Sequence, residues 1–263
     1  MDLGLKDKVA VVTGSGSQLG FGRATAVTLA AEGCCVVVAD AYLEGAEKTV
    51  AEIKASGNKA KAVKVDITDG SDVSAMVKAV MAEFGRIDIL VNNAGIAGRG
   101  GFFANSDEES WDQIINVNIK GLLNCTRQVL PHMLARRYGK IVNIASGLGK
   151  SGGPGTAVYS ATKGAVISFT KSLAAEVAAS GINVNCVAPG LAPSTNFGGT
   201  PDGIESSSER IESERSKSVL ATIPLGRFTG PQDVANMVAY LVSDLADDIV
   251  GQPISVEGGR FMM

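Results

Sequence analysis

Short β-branched apolar runs recur along the chain, separated by longer stretches whose apolar positions return every three or four residues. The runs read KVAVVT, CVVVAD, AVKVD, DILVNN, KIVNIA, INVNCVAP and QPISVEG. Each is short enough for a strand and apolar enough to be covered on both faces. Helical periodicity marks residues 41–56, 69–84, 107–135, 158–179 and 231–244. Strands alternating with helices in this way predict an α/β fold, a doubly wound, seven-stranded parallel sheet with helices on both faces. The 263 residues show no internal repeat and suit one domain over 1–263. One stretch breaks the pattern. Residues 191–225 are polar, charged and glycine-containing, and predict a mobile lid where strand carboxyl ends deliver binding loops.

Charge and cysteine content then narrow the classes of function. With 24 basic and 27 acidic residues the net charge is −3, which gives no general attraction to nucleic acid or anionic lipid. No apolar run reaches the roughly 18 residues of a membrane span, and MDLGLKDKVA lacks the apolar core of a cleavable signal. A cytoplasmic protein with no membrane or nucleic-acid partner is expected. Cys34, Cys35, Cys125 and Cys186 lack metal-ligand spacing and are expected to be reduced, packed thiols. The one histidine, His132, leaves no basis for a His cluster or Ser/His/Asp chemistry, and no metal is expected.

The stretch VAVVTGSGSQLGFGRATA, Val9 to Ala26, carries the first chemistry. A glycine-rich turn between a strand and a helix lets backbone approach a pyrophosphate, and the helix amino terminus offers free N–H groups and partial positive charge. This points to a Rossmann-like, dinucleotide-binding sheet. Asp40 ends the second strand, where a carboxylate can accept bonds from the adenosine ribose and repel the 2′-phosphate of NADP. NAD is therefore the expected cofactor.

Further motifs make the assignment specific: ILVNNAG, INVNIKG, IVNIAS, YSATK, APG and PLGRFTGPQDVA, in that order. With TG…GFG, Asp40 and VDITD they resemble the short-chain dehydrogenase/reductase family, in its single-domain branch, over almost the whole chain. The resemblance implies a catalytic set of Asn118, Ser146, Tyr159 and Lys163. Tyr159 and Lys163 stand i and i+4 on one helical face. A nearby ammonium and a nicotinamide cation would favour the phenolate of a tyrosine whose reference pKa is about 10. Ser146 would orient the substrate oxygen, and Asn118, through an unusual local backbone, would hold a water leading from Lys163 to solvent. For the cofactor the resemblance implies Gly14, Ser17, Gln18, Leu19 and Gly20 in the glycine loop, Asp40 at the adenosine ribose, and Asp66 and Ile67. Asn93, Ala94 and Gly95, with Tyr159 and Lys163 again, are implied as well, as are Pro189, which ends the sixth strand, and Gly190 and Ser194 beyond it.

Counted from Gly14, the glycine loop is two residues longer than the TGxxxGxG of that branch; counted from Gly16, the glycines at 16, 20 and 22 restore the GxxxGxG spacing. Its length is closer to the divergent enoyl-reductase branch, whose catalytic Tyr and Lys are seven apart; here residue 166 is Val, so the catalytic helix decides the branch. Ser15, Ser17 and Gln18 are expected to form a polar flap over the adenosine half of the cofactor.

These features predict NAD-dependent interconversion of a secondary alcohol and a ketone, with Tyr159 as general acid/base and a small-molecule substrate. The alternative within the family is an NADPH-linked 3-ketoacyl-thioester reductase; outside it, a non-catalytic dinucleotide sensor. The substrate pocket is expected from residues 96–103, 147–153 and the lid, where Arg99, Arg210, Arg215 and Lys217 could grip an acidic substrate. Apolar excess on 121–134 and 158–179, with ISVEGGRFMM at the end, adds to the family's expectation of a homotetramer.

Overall fold

The computed structural model describes residues 2–195 and 214–262. Seven strands, β1 Val9–Thr13, β2 Cys35–Asp40, β3 Ala60–Lys64, β4 Ile89–Asn92, β5 Gly139–Ile144, β6 Ile182–Pro189 and β7 Pro253–Val256, form one sheet. The order is β3-β2-β1-β4-β5-β6-β7 and every pairing is parallel. This is the Rossmann-like α/β fold that the pattern predicts. The order reverses between β1 and β4, so the connections leave those two strands toward opposite faces and open a crevice at their carboxyl ends.

Nine α-helices are described: α1 Phe21–Ala31, α2 Leu43–Ala55, α3 Gly70–Phe84, α4 Glu108–Ile115, α5 Leu122–Arg136, α6 Leu148–Ser151, α7 Ala157–Val177, α8 Glu214–Leu220 and α9 Pro231–Leu241. The strands feed two cores by simple alternation. Ala10, Val12, Val36, Val38, Ile89 and Val91 face the layer where α1, α2 and α9 contribute Leu29, Ile53 and Val238. Val9, Val11, Val37, Ala39 and Leu90 face the other, with Met76 of α3, Val129 of α5 and Leu173 of α7. A valine taken wholly out of water on such a strand stabilises by roughly 1.5–3 kcal/mol, which is why both faces must be apolar.

Two departures from the sequence pattern matter. The third strand occupies 60–64 rather than 62–66 and is half-exposed, with Lys61 and Lys64 on an edge that has no further partner among the described residues. The helical stretch predicted over 107–135 is not continuous. Asp107 caps α4 by accepting the Ser110 N–H at 2.8 Å, then Asn116–Gly121 widens into a π turn before α5 begins. Of the predicted lid over 191–225, residues 196–213, Arg210 among them, lie outside the described residues, as does the side chain of Arg215.

Candidate active site

The carboxyl ends of β1 and β4 are laced together. The Thr13 hydroxyl accepts the N–H groups of Asn93 and Ala94, both at 3.1 Å, and donates to the Val91 carbonyl. The Asn93 amide donates to the carbonyls of Thr13 (2.9 Å) and Gly14 (2.8 Å). Gly14 has φ +65°, and a Cβ there would lie 2.6 Å from the Ala94 Cα, so backbone conformation and space both demand glycine. Gly22 is as constrained, its notional Cβ 2.3 Å from the Gly14 carbonyl oxygen.

This tight junction brings the first turn of α1 to the crevice. Gly20 is its N-cap and has no side-chain capping bond, so the leading N–H groups keep their capacity for an anion. Asp40 stands beside the loop: one carboxylate oxygen accepts the Gly16 N–H at 2.7 Å and the other the Tyr42 N–H at 2.9 Å. On the side of α3, Asp66 is exposed and caps its own turn through Thr68, and Ile67 is buried against Gly121 of the π turn.

The extra loop length does not behave as a free flap. Ser15 is wholly buried and its hydroxyl donates to the Val12 carbonyl, which corrects the expectation for that residue. Gln18 is folded back, its amide donating to the carbonyls of Gly16 (2.9 Å) and Gly45 (3.1 Å). Ser17 is half-buried and accepts the Gly20 N–H, while Leu19 stays exposed. Loop residues attach to α2 because glycine at 45 leaves room for the Gly16 carbonyl; a Cβ there would come within 2.5 Å of it.

The four candidate catalytic residues converge across the crevice. Lys163 is buried, donates to the Ile144 carbonyl at 2.8 Å, and sits 5.9 Å from the centroid of the Tyr159 ring. Gly95 lies between Lys163 and Asn118: its notional Cβ would be 3.2 Å from Nζ and 3.1 Å from the Asn118 Oδ1. Asn118, in the π turn, accepts the Ile96 N–H (2.8 Å) and donates to the Ile96 carbonyl (2.9 Å) and the Thr162 hydroxyl (3.1 Å). Its side chain thus ties the β4 loop to α7. Ser146 accepts the Leu148 N–H at 3.2 Å and hydrogen-bonds Tyr159. Gly190 closes onto β7, its N–H donating to the Val256 carbonyl at 3.0 Å; Pro189 ends β6 and Ser194 is half-buried in the turn beyond.

Burial governs the acid–base character. It pushes the Tyr159 phenol up to about 12, against the lowering effect of the Ser146 hydrogen bond, and pulls the Lys163 ammonium down to about 8. For the phenol in the protein alone, desolvation by burial is the largest effect. Some polar residues under the site were not foreseen. Asn92 donates to Thr126 and Asn143, and Asn143 to Thr170, a buried chain from α5 through β4 and β5 to α7. Asparagines inside apolar runs were its only sequence signal. Glu257, 5% exposed, lies behind Gly147, where a Cβ would meet its Oε2 at 2.5 Å; burial raises its pKa.

The residues present fit a nicotinamide dinucleotide: an uncapped helix start with glycines where a Cβ would clash, a carboxylate at the end of β2, and a lysine and tyrosine at the far side of the crevice. Comparison with known proteins agrees. The family model described as short chain dehydrogenase matches residues 8–201. A 3-oxoacyl-(acyl-carrier-protein) reductase of Staphylococcus aureus is 43% identical over 256 residues, 97% of this chain and 98% of that one. The protein of that name from Thermotoga maritima is 39% identical, with 97% and 98% covered. A (2S)-((R)-hydroxy(phenyl)methyl)succinyl-CoA dehydrogenase subunit of Thauera aromatica is 39% identical, with 98% of each chain covered.

Proposed function

The chain belongs to the short-chain dehydrogenase/reductase family and is an oxidoreductase that takes a nicotinamide dinucleotide; we propose that it uses NAD to interconvert the β-hydroxy and β-keto forms of an acyl thioester. The relatives' substrates carry this choice. A 3-oxoacyl group and a hydroxy(phenyl)methyl group on succinyl-CoA both place the reacting oxygen β to an acyl carbonyl, on two different thioester carriers. The reading thereby moves from a generic secondary alcohol to the thioester that the sequence held as its alternative. No helix among the described residues is long and apolar enough to cross a membrane.

When bound, the nicotinamide ring supplies or accepts the hydride. Gly14, Gly20 and the start of α1 would hold the pyrophosphate, Asp40 the ribose, and Lys163 the second ribose. The chain's own residues handle the proton. A phenol pushed up to about 12 is protonated at neutral pH, so Tyr159 is poised to donate its proton to the substrate oxygen in the reductive direction. Ser146 hydrogen-bonds the same oxygen and limits where it can sit. Lys163, with Asn118 and the Ile96 backbone nearby, is placed to return the proton to Tyr159.

Asp40 supports NAD. A 2′-phosphate would remove a ribose donor and bring like charge close; at about 4 Å and an effective dielectric near 20, unit charges repel by about 4 kcal/mol. Arg23, in the first turn of α1, is already engaged by Glu52 through two bonds of 2.6 and 2.8 Å and does not offset that charge. Even a screened fraction of the repulsion leaves a preference of about a hundredfold. A second reading, the NADPH-linked 3-oxoacyl-thioester reductase, is favoured by the reductase names of two of the relatives.

The test is kcat/KM for NADH and NADPH with a 3-oxoacyl-CoA, beside a simple ketone of equal length. A strong preference for NADH and for the thioester is expected. A cofactor ratio near one, or favouring NADPH, promotes the second reading, and equal turnover of the simple ketone removes the thioester.

A further inference from the structure

The peptide unit joining Ser15 to Gly16 is held at both ends. Its carbonyl accepts a hydrogen bond from the Thr49 hydroxyl of α2 at 3.0 Å, and its N–H donates to Asp40 Oδ2 at 2.7 Å. Because a peptide is planar, fixing the carbonyl also fixes the direction of the N–H. A carbonyl that accepts a bond also makes its N–H a stronger donor. The space around it is closed: a Cβ at Gly16 would lie 2.9 Å from the Asp40 Cγ and 3.1 Å from the Ala46 nitrogen. Gln18 secures the far side of the loop, its amide reaching the Gly16 carbonyl and, at 3.3 Å, Thr49 itself. Thr49 is wholly buried and stands far along the chain from the glycine motif.

We propose that Thr49 is a positioning residue for cofactor selectivity: acting through the Ser15–Gly16 peptide, it holds the Asp40 carboxylate in one orientation, so that the carboxylate meets a ribose hydroxyl and cannot swing away from a 2′-phosphate. The inference deepens the reading of Asp40 as the ribose contact and rests on it. It also gives the two extra loop residues a task. Their path carries the Gly16 N–H to Asp40 while the Gly16 carbonyl is fastened to α2 by Gln18 and by close packing on Gly45. An aspartate facing a looser loop repels a 2′-phosphate less, because its carboxylate can rotate out of the way.

The experiment measures NADH and NADPH dissociation constants by fluorescence titration, alongside kcat and KM, for wild type, Thr49→Val, Thr49→Ser and Gln18→Ala. Thr49→Val removes the hydroxyl's bond to the Ser15 carbonyl, worth up to about tenfold, together with its longer 3.3 Å bonds to Gly45 and Gln18, so it should weaken NADH several-fold, leave NADPH unchanged or tighter, and cut the NADH:NADPH affinity ratio by about tenfold. Its kcat at saturating cofactor should hold, and Thr49→Ser, which keeps the hydroxyl, should restore the wild-type ratio. Gln18 is exposed, so Gln18→Ala keeps the test open if Thr49→Val fails to fold; it should lower the ratio in the same direction, by less. A discriminating wild type whose folded Thr49 or Gln18 variants discriminate equally well overturns the inference alone. So does an equal weakening of both cofactors. A wild type that binds both alike overturns the Asp40 reading and this inference with it.

Discussion

Lys140 and Lys163 are both buried, near opposite ends of the same sheet, and their surroundings differ in kind. At the amino end, Lys140 of β5 pairs with Asp247 and donates to Asn183 at 3.1 Å. Close by, Asp88 is fully buried but holds Arg86 at 2.6 Å, Arg136 at 2.9 Å and the Val9 N–H at 2.8 Å. At the carboxyl end, Lys163 donates to the Ile144 carbonyl, and no carboxylate pairs with it among the described residues. A buried charge with a counter-charge becomes part of the scaffold, because removing one partner strands the other, whereas a buried charge without one is tolerated for what it does. The contrast separates scaffold from chemistry more cleanly than burial alone.

The strongest way to sharpen that contrast is Tyr159→Phe, which removes the transferable proton and leaves the ring. Turnover should fall by at least about a hundredfold, with NADH binding, read by fluorescence, retained. Next, Lys163→Met should lower turnover by about a hundredfold, the share of an acid/base partner, yet leave the melting temperature level or higher because an unpaired buried charge has gone. A marked loss of stability would place Lys163 with the scaffold.

Asp88→Ala should do the reverse. Removing the shared partner of two arginines that can still reach water should destabilise by about 3 kcal/mol in denaturant titration, with kcat unchanged. Burial works to raise the Asp88 pKa, but the bonds from Arg86, Val9 and Arg136 outweigh it and hold the carboxyl below its ordinary value. Its contribution is therefore present at neutral pH and lost as the medium is acidified through that lowered pKa.

A smaller effect is expected from pH. With Lys163 at about 8, its ammonium form is lost above that value, so reductive kcat/KM should decline by about tenfold per unit on the alkaline side while the Tyr159 phenol stays protonated. A profile flat to pH 10 would sever Lys163 from the proton path. Smallest of all, Lys140→Met should leave turnover intact and shift stability by about 1 kcal/mol in either direction, since Asp247 is largely exposed and can rehydrate.

Much of this was legible in the sequence because the periodicities are strong. Parallel strands buried on both faces read as apolar runs, and the order of motifs places Asn118, Ser146, Tyr159 and Lys163 at one crevice. What escaped has no periodic signature. A π turn inside the stretch 107–135 looks like continuous helix until its hydrogen bonds are known. Ser15 reads as a polar loop residue, but a short hydroxyl can satisfy itself on the carbonyl three residues back and turn inward. Thr49 reads as one more α2 residue, since its importance lies in a bond across 34 positions. Depth was also invisible: i and i+4 spacing brings Tyr159 and Lys163 to one face, but only packing shows how strongly burial shifts both groups.

The pairing of β1 with β4 also imposes a timetable. Val9–Thr13 is made first, yet one of its two edges waits for residues 89–91, and the Thr13 hydroxyl waits for amides 80 and 81 positions later. A chain leaving the ribosome can settle β1 against β2 early, as a local βαβ unit, but the crevice has no second wall until the NNAG segment has emerged. The binding site therefore cannot close before residues 89–95 are available. Until then β1, five buried apolar or hydroxyl residues in a row, keeps one unpaired edge.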